Sequence, residues 1–221
     1  QAAVDRALKE RKNVYFPVGH YRLARGLTLH NPQGITLEGA DGENTVLDLS
    51  EGHGCCVTMR GGVEATVRNF KMLGNMGFAE RDQAGHFRTL GSNGIWGQDL
   101  KTSFATGVIG TERVTVENVH AYRMSLEAFW SGGPWRKGLD EPKQYSKAIN
   151  YIRCWAIDCA RNGFNNNDLA ENTSILYCRI VDVGGCAWEG ASRFVKIKGN
   201  YVRNAGTVAI GNTSQRNKAM E

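Results

Sequence analysis

After one helical stretch, the apolar positions of this chain read as short strands to its end. In QAAVDRALKERK, Val4, Ala7 and Leu8 fall at i, i+3 and i+4, which predicts a short amphipathic helix over 1–12, stopped by Asn13. The runs NVYFPVGHYRL, GLTLHN, GITLEG, TVLDLS, CCVTMRG and ATVRNFKMLGN follow, rich in β-formers and broken by Gly, Asn and Asp. They predict strands of about 4–6 residues, with no second helix of comparable clarity between them.

The strands repeat. NYIRCWAIDCARNGFNNND (150–168), ILYCRIVDVGGCAWEGAS (175–192) and VKIKGNYVRNAGTVAIGNTS (195–214) share one frame, and VTVENVHAYRMSLEAFWSGG (114–133) joins it one coil earlier. Cys154, Cys178 and Asn200 take one column; Asp158, Asp182 and Asn204 take another. A period in the low twenties with several strands and no helix per period predicts a solenoid of stacked β-coils. The regular leucine frame of a leucine-rich repeat is absent, and an ordinary β-sandwich with chance similarity is the alternative.

The opening VYFPVGHYRLARGLTLHNPQGITLEGADGENTVLDLS resembles the first coils of the pectin-lyase-like superfamily of right-handed parallel β-helices, which also begins with a capping helix. RVTVENVHAYRMSLEAFW and INYIRCWAIDCARNGF are similar to the coils of that superfamily's mannuronan epimerases. The resemblance implies an all-β, right-handed parallel β-helix over 1–221, with a capping helix at 1–12 and groove-side loops at 75–107 and 132–148. RNKAME follows the last coil without a recognisable cap, so a longer chain, or a partner over that end, is expected. The superfamily holds pectate and alginate lyases, polygalacturonases, epimerases and tailspikes, so the fold alone does not select a reaction. In the epimerase-like coils an aspartate and a histidine align with Trp130 and Gly132, and a tyrosine with Glu127. Epimerase chemistry is therefore not expected at that place.

The columns assign NGFNNND at 162–168. Phe129, Phe164, Trp188 and Ile210 share an inward column. Alternation with period two then turns Trp130, Asn165, Glu189 and Gly211 outward, while Ser131, Asn166, Gly190 and Asn212 point inward at the bend. Asn166 is the structural asparagine on this reading. Asn165 and Asn167 are expected to face solvent beside Trp130 and Glu189, an indole, amides and a carboxylate that together suit a sugar. The two loops add Arg88 from the first and Trp135, Arg136 and Lys137 from the second.

Two chemistries remain open at this stage. An inverting hydrolase needs carboxylates roughly 6.5–9.5 Å apart, for which Glu189 and Asp168 are the candidates. A uronate lyase needs a base and a cation to neutralise the sugar carboxylate, the latter from Arg88, Arg136, Lys137 or Arg193. Asp158 and Asp182, in a turn column with Asn204, read as turn residues. A non-catalytic glycan-binding β-helix, as in tailspikes, is the alternative from another class.

Composition narrows the partners. With 221 residues, 41% apolar and 22% charged, the chain suits one large domain. The net charge of +5 favours an acidic partner such as an anionic polysaccharide. Its basic residues are scattered, so nucleic acid is not expected. No apolar run approaches the roughly 20 residues of a membrane span. The six cysteines lack metal-site spacing, and of cofactors the resemblance implies at most calcium. It also implies an extracellular or cell-surface protein, with any leader removed ahead of Gln1.

Overall fold

A computed structural model describes residues 1–76, 79–81, 87–89, 103–133, 145–166 and 170–212, with backbone alone at 79–81, 87–89 and 212. The helix runs Ala2–Glu10 and ends earlier than the sequence suggests. Arg11 takes the left-handed conformation (φ 53°), and the Arg11 and Lys12 N–H groups return to the Leu8 and Ala7 carbonyls. Asn13 instead accepts the Thr36 N–H at 2.9 Å, fastening the chain to the first coils. Val4 and Ala7 are the helix residues that are buried.

Most of the described residues after the helix form stacked coils. A 12-stranded sheet divides along a corner into two faces, and a 7-stranded sheet closes the third. The first face comprises Val14–Phe16, Gln33–Gly39, the leading parts of Val63–Leu73 and Glu112–Tyr122, then Ser146–Ile152, Ala170–Leu176 and Arg193–Lys198. The second comprises Gly19–Arg22, Thr45–Asp48, the trailing parts of those two long strands, then Trp155–Cys159, Arg179–Val183 and Tyr201–Ala205. The third runs Arg25–His30, His53–Arg60, Ser103–Ile109, Phe129–Gly132, Phe164–Asn166, Trp188–Gly190 and Ile210–Asn212. Among the described residues pairing between coils is parallel, and the one antiparallel pair, Ala79–Arg81 with Phe87–Thr89, forms a separate two-stranded sheet. Ser103–Ile109 is a strand of the third sheet, so the insertion expected at 75–107 gives way to the stack from Ser103 onward. Gly132 and 146–148 likewise belong to strands rather than to the second loop.

Corners use left-handed backbone. Asn69, Asn118, Arg153, Tyr177 and Gly199 (φ 50° to 69°) divide the first face from the second. Arg123, Asp158, Asp182 and Asn204 (φ 52° to 56°) end the second. Asn and Asp tolerate this region and bridge neighbouring coils, as when Asn204 donates to Asp182 Oδ1 at 2.7 Å. Asp158 and Asp182 are the left-handed residues next to the ends of their strands.

The core runs up the axis in columns set by register. Phe129, Phe164 and Trp188 pair in sequence, and the Phe129 and Phe164 rings stack at 4.8 Å and 15°. Asn166 is fully buried one column on, where it donates to Ser131 Oγ and its Oδ1 accepts Trp188 Nε1–H at 2.6 Å. A buried amide with both ends bonded across three coils fixes their register. Cys154 and Cys178 are adjacent in their column; all six cysteines are free thiols, and the Cys178 N–H donates to Asn200 Oδ1 at 2.7 Å.

Candidate active site

Strand alternation places Trp130, Asn165 and Glu189 in register on the outward side of the third face, as the columns require. Their surroundings are not those of an open groove floor. Trp130 is 8% exposed and Asn165 4%, so neither is the solvent-facing sugar contact expected of it. Period-two patterning tells which side of a sheet a residue leaves from, and says nothing of what covers that side.

Asn165 works between two carboxylates. Its Nδ2 donates to Glu127 Oε1 at 3.3 Å and to Glu189 Oε2 at 3.2 Å. Arg161 bridges the same pair, Nη1 reaching Glu127 Oε1 at 2.6 Å and Nη2 reaching Glu189 Oε2 at 3.3 Å. Asn162 Nδ2 adds a bond to Glu189 Oε2 at 2.6 Å, while its Oδ1 accepts the Cys186 N–H at 2.8 Å. Gly185 is required beside it, because a Cβ there would lie 2.4 Å from Asn162 Oδ1.

The two acids sit in unlike environments. Glu127 is wholly buried, and burial raises its pKa; Arg161 offsets this in part, while the nearby negative charge of Glu189 adds to it. Its Oε2, like Asn165 Oδ1, is buried without a hydrogen-bond partner among the described residues. A proton on Glu127 turns that oxygen into a donor, beside a residue that lacks one. The Glu189 side chain is 21% exposed, with three N–H donors converging on Oε2 and, among the described residues, none on Oε1. Glu189 is therefore the more accessible of the two carboxylates, and Arg161, 42% exposed, is the cation beside it. Nearby Cys55 carries a thiol that burial pushes up to about 12, too high for a thiolate nucleophile near neutral pH.

The other expected residues divide. Arg193 opens a strand of the first face and pairs with Glu171 at 3.9 Å. The backbone of Arg88 lies in Phe87–Thr89, opposite Glu80. Asn167, Asp168, Trp135, Arg136 and Lys137 lie outside the described residues. Arg161 and Asn162 were not singled out from the sequence, and Glu127 only as a departure from an aligned tyrosine. The signal available was the column through Glu127 and Asn162, two residues ahead of Phe129 and Phe164. No group of three or more His, Cys, Asp or Glu among the described residues is placed to hold a metal. With a guanidinium already between its two acids, this cluster does not fit calcium.

No protein-family model and no curated protein sequence matches the chain. Solved structures do. The catalytic domain of a GH87 α-1,3-glucanase in complex with nigerose is 16% identical with a TM-score of 0.64, covering 95% of this chain and 34% of that one. Bacteriophage phi29 gene product 12, in its pre-mature form, is 18% identical with a TM-score of 0.61, over 95% and 31%. The A-module of a mannuronan C-5 epimerase from Azotobacter vinelandii is 16% identical with a TM-score of 0.55, over 96% and 70%. The chain thus spans about a third of the glucanase and phage chains it matches. With the register above, these likenesses show that the chain has a right-handed parallel β-helix fold.

Proposed function

We propose that this protein cleaves an acidic, uronate-containing polysaccharide outside the cell, with Glu189 as the base and Arg161 as the cation beside it. The observation that carries the reading is one reachable carboxylate, held by Arg161, Asn162 and Asn165, next to a half-exposed guanidinium on the outer face of a β-helix. The net charge of +5 suits an anionic polymer. The glucanase and the epimerase, whose names concern polysaccharides, have the same fold.

In β-elimination, Glu189 Oε1 takes the proton from the carbon next to the sugar carboxylate. The C–H electrons form a carbon–carbon double bond, the glycosidic C–O bond breaks, and the departing oxygen takes a proton from solvent. Arg161 supports the charge that builds on the sugar carboxylate. Burial raises the Glu127 pKa, and Arg161 lies between the two acids, within 2.6 Å of Glu127 and 3.3 Å of Glu189.

Hydrolysis is the second reading. Glu127 Oε1 and Glu189 Oε2 both contact Asn165 Nδ2, so they lie no farther apart than the sum of 3.3 and 3.2 Å. That bound is the lower edge of the roughly 6.5–9.5 Å of inverting glycosidases and admits the roughly 5–5.5 Å of retaining ones. The full burial of Glu127 favours elimination, because a buried acid cannot protonate a glycosidic oxygen across a cleft.

Alginate, polygalacturonate and a neutral α-1,3-glucan, assayed for unsaturated ends by ultraviolet absorbance and for reducing ends, separate the readings. Elimination produces both signals on a polyuronate, and hydrolysis the second alone. Glu189→Gln is expected to lower turnover by about two to four decades while binding persists. Wild-type protein silent on every polymer would sink the enzymatic reading in favour of a glycan-binding β-helix.

A further inference from the structure

The outward side of the second face carries a different stack. Register aligns Lys71, His120, Trp155, Arg179 and Tyr201 in one column. His120 and Trp155 lie parallel with ring centroids 3.9 Å apart. The Arg179 guanidinium sits 5.8 Å from the Trp155 centroid and 5.3 Å from that of Tyr201, a cation between two rings of neighbouring coils. At the other end of the column His120 Nδ1 pairs with Glu43, which also takes Lys71 at 3.7 Å.

Charge on this face is matched almost everywhere. Arg203 pairs with Asp182 at 3.3 Å and His20 with Asp48 at 2.6 Å. Arg179 is exposed and has no carboxylate partner among the described residues. Its guanidinium lies within cation–π distance of both rings, and its N–H groups remain available to solvent. That planar fork matches a carboxylate in two parallel hydrogen bonds, and the flanking rings hold it in place before any ligand arrives. The next outward column runs Tyr122, Ile157 and Val181, with buried Val181 on the coil of Arg179 and half-buried Ile157 and Tyr122 on the two coils before it, and Tyr201 is 51% exposed. Apolar rims next to a pre-set fork suit the C–H faces and the carboxylate of one sugar residue.

We propose that Arg179, with Trp155, Tyr201, Tyr122 and Ile157, forms a second binding site for a uronate residue of an acidic polysaccharide, on a different face from Glu189. It is a docking site, in which Trp155 and Tyr201 act as ring platforms on either side of Arg179. A long polymer held there raises its own local concentration at the catalytic face. The inference rests on the proposed function only in the choice of polyuronate.

Native-gel affinity electrophoresis tests it, with alginate, polygalacturonate, a neutral glucan or dextran sulfate cast in the gel. Wild-type protein is expected to be retarded by the polyuronates, less so as salt rises, and not by the neutral glucan. Arg179→Ala is expected to weaken that retardation about tenfold, equivalent to roughly 1.4 kcal/mol. Arg179→Lys, which keeps charge but loses the fork, is expected to fall between. Turnover of short uronate oligomers should be unchanged in both variants. An Arg179→Ala protein retarded like wild type overturns the site, as does a Lys variant equal to wild type. Equal retardation by dextran sulfate in all three proteins is expected of bulk charge and leaves a polyuronate difference to decide. Loss of retardation with turnover intact supports this site whatever the cleavage chemistry, whereas failure of cleavage with retardation intact fells only the enzymatic reading.

Discussion

The second and third faces are built by the same coil geometry and end in opposite chemistry. On both, outward residues of successive coils stack about one strand spacing, ~4.8 Å, apart. On the third face the stack brings amides and acids together, and Arg161 closes the charge inside the cluster. On the second it alternates rings with cations, and the charge of Arg179 stays directed to solvent. A parallel solenoid thus converts a single column of sequence into a row of like-placed groups. Whether the row becomes a buried network or an open surface depends on how far its members compensate one another.

The comparison breaks most visibly through its interior support. Phe164 is fully buried directly beneath the third face, stacked on Phe129 and edge-on to Tyr151. Phe164→Ala should cost about 3–5 kcal/mol in urea unfolding, because the removed ring leaves a cavity that its stacked neighbours cannot close. It should also weaken turnover by loosening Asn165, the next residue. A smaller loss would show that the coils collapse more readily than a stacked column allows.

Glu127 sharpens the contrast through pH. Its pKa is raised in the folded protein, so the folded state holds this proton more tightly than the unfolded chain does. The stability it contributes is complete below the ordinary glutamate pKa and is lost as pH rises through the folded value. Chemical denaturation at a series of pH values should therefore show a decline above the ordinary glutamate range. Glu127→Gln, which supplies a permanent donor in place of the proton, should fold and abolish that component. An unchanged pH slope in the variant would assign the decline to other groups.

The smallest effect belongs to the second face. Trp155→Ala removes the ring between His120 and Arg179 but no interior packing, and is expected to cost about 0.5–1.5 kcal/mol. Thermal melts should move by a few degrees at most. A loss as large as that of Phe164→Ala would show that the outward ladder, rather than the core, holds these coils in register.

Much of the architecture was legible in the chain. The columns through Phe129, Phe164 and Trp188, and through Cys154, Cys178 and Asn200, appear in register because strand alternation and coil period are both properties of sequence spacing. Asn166 could be separated from its two neighbours for the same reason, and its bonds to Ser131 and Trp188 follow from that column. The helix stop was misplaced because a left-handed arginine at position 11 has no compositional mark, whereas Asn13 carries one and is used elsewhere.

The site was legible only as a direction. The sequence by itself determined the coil repeat, the stacked β-solenoid and the side of the sheet from which Trp130, Asn165 and Glu189 leave. Tertiary structure alone decided that Trp130 and Asn165 are buried, and that Arg161 joins Glu127, 34 residues away, to Glu189, 28 residues away. Arg193, so close to Glu189 in sequence, was carried round a corner to Glu171 instead. The physical reason is that alternation is local and repeats along the backbone, whereas the solvation of a charge depends on every group that three-dimensional packing brings within a few ångströms of it.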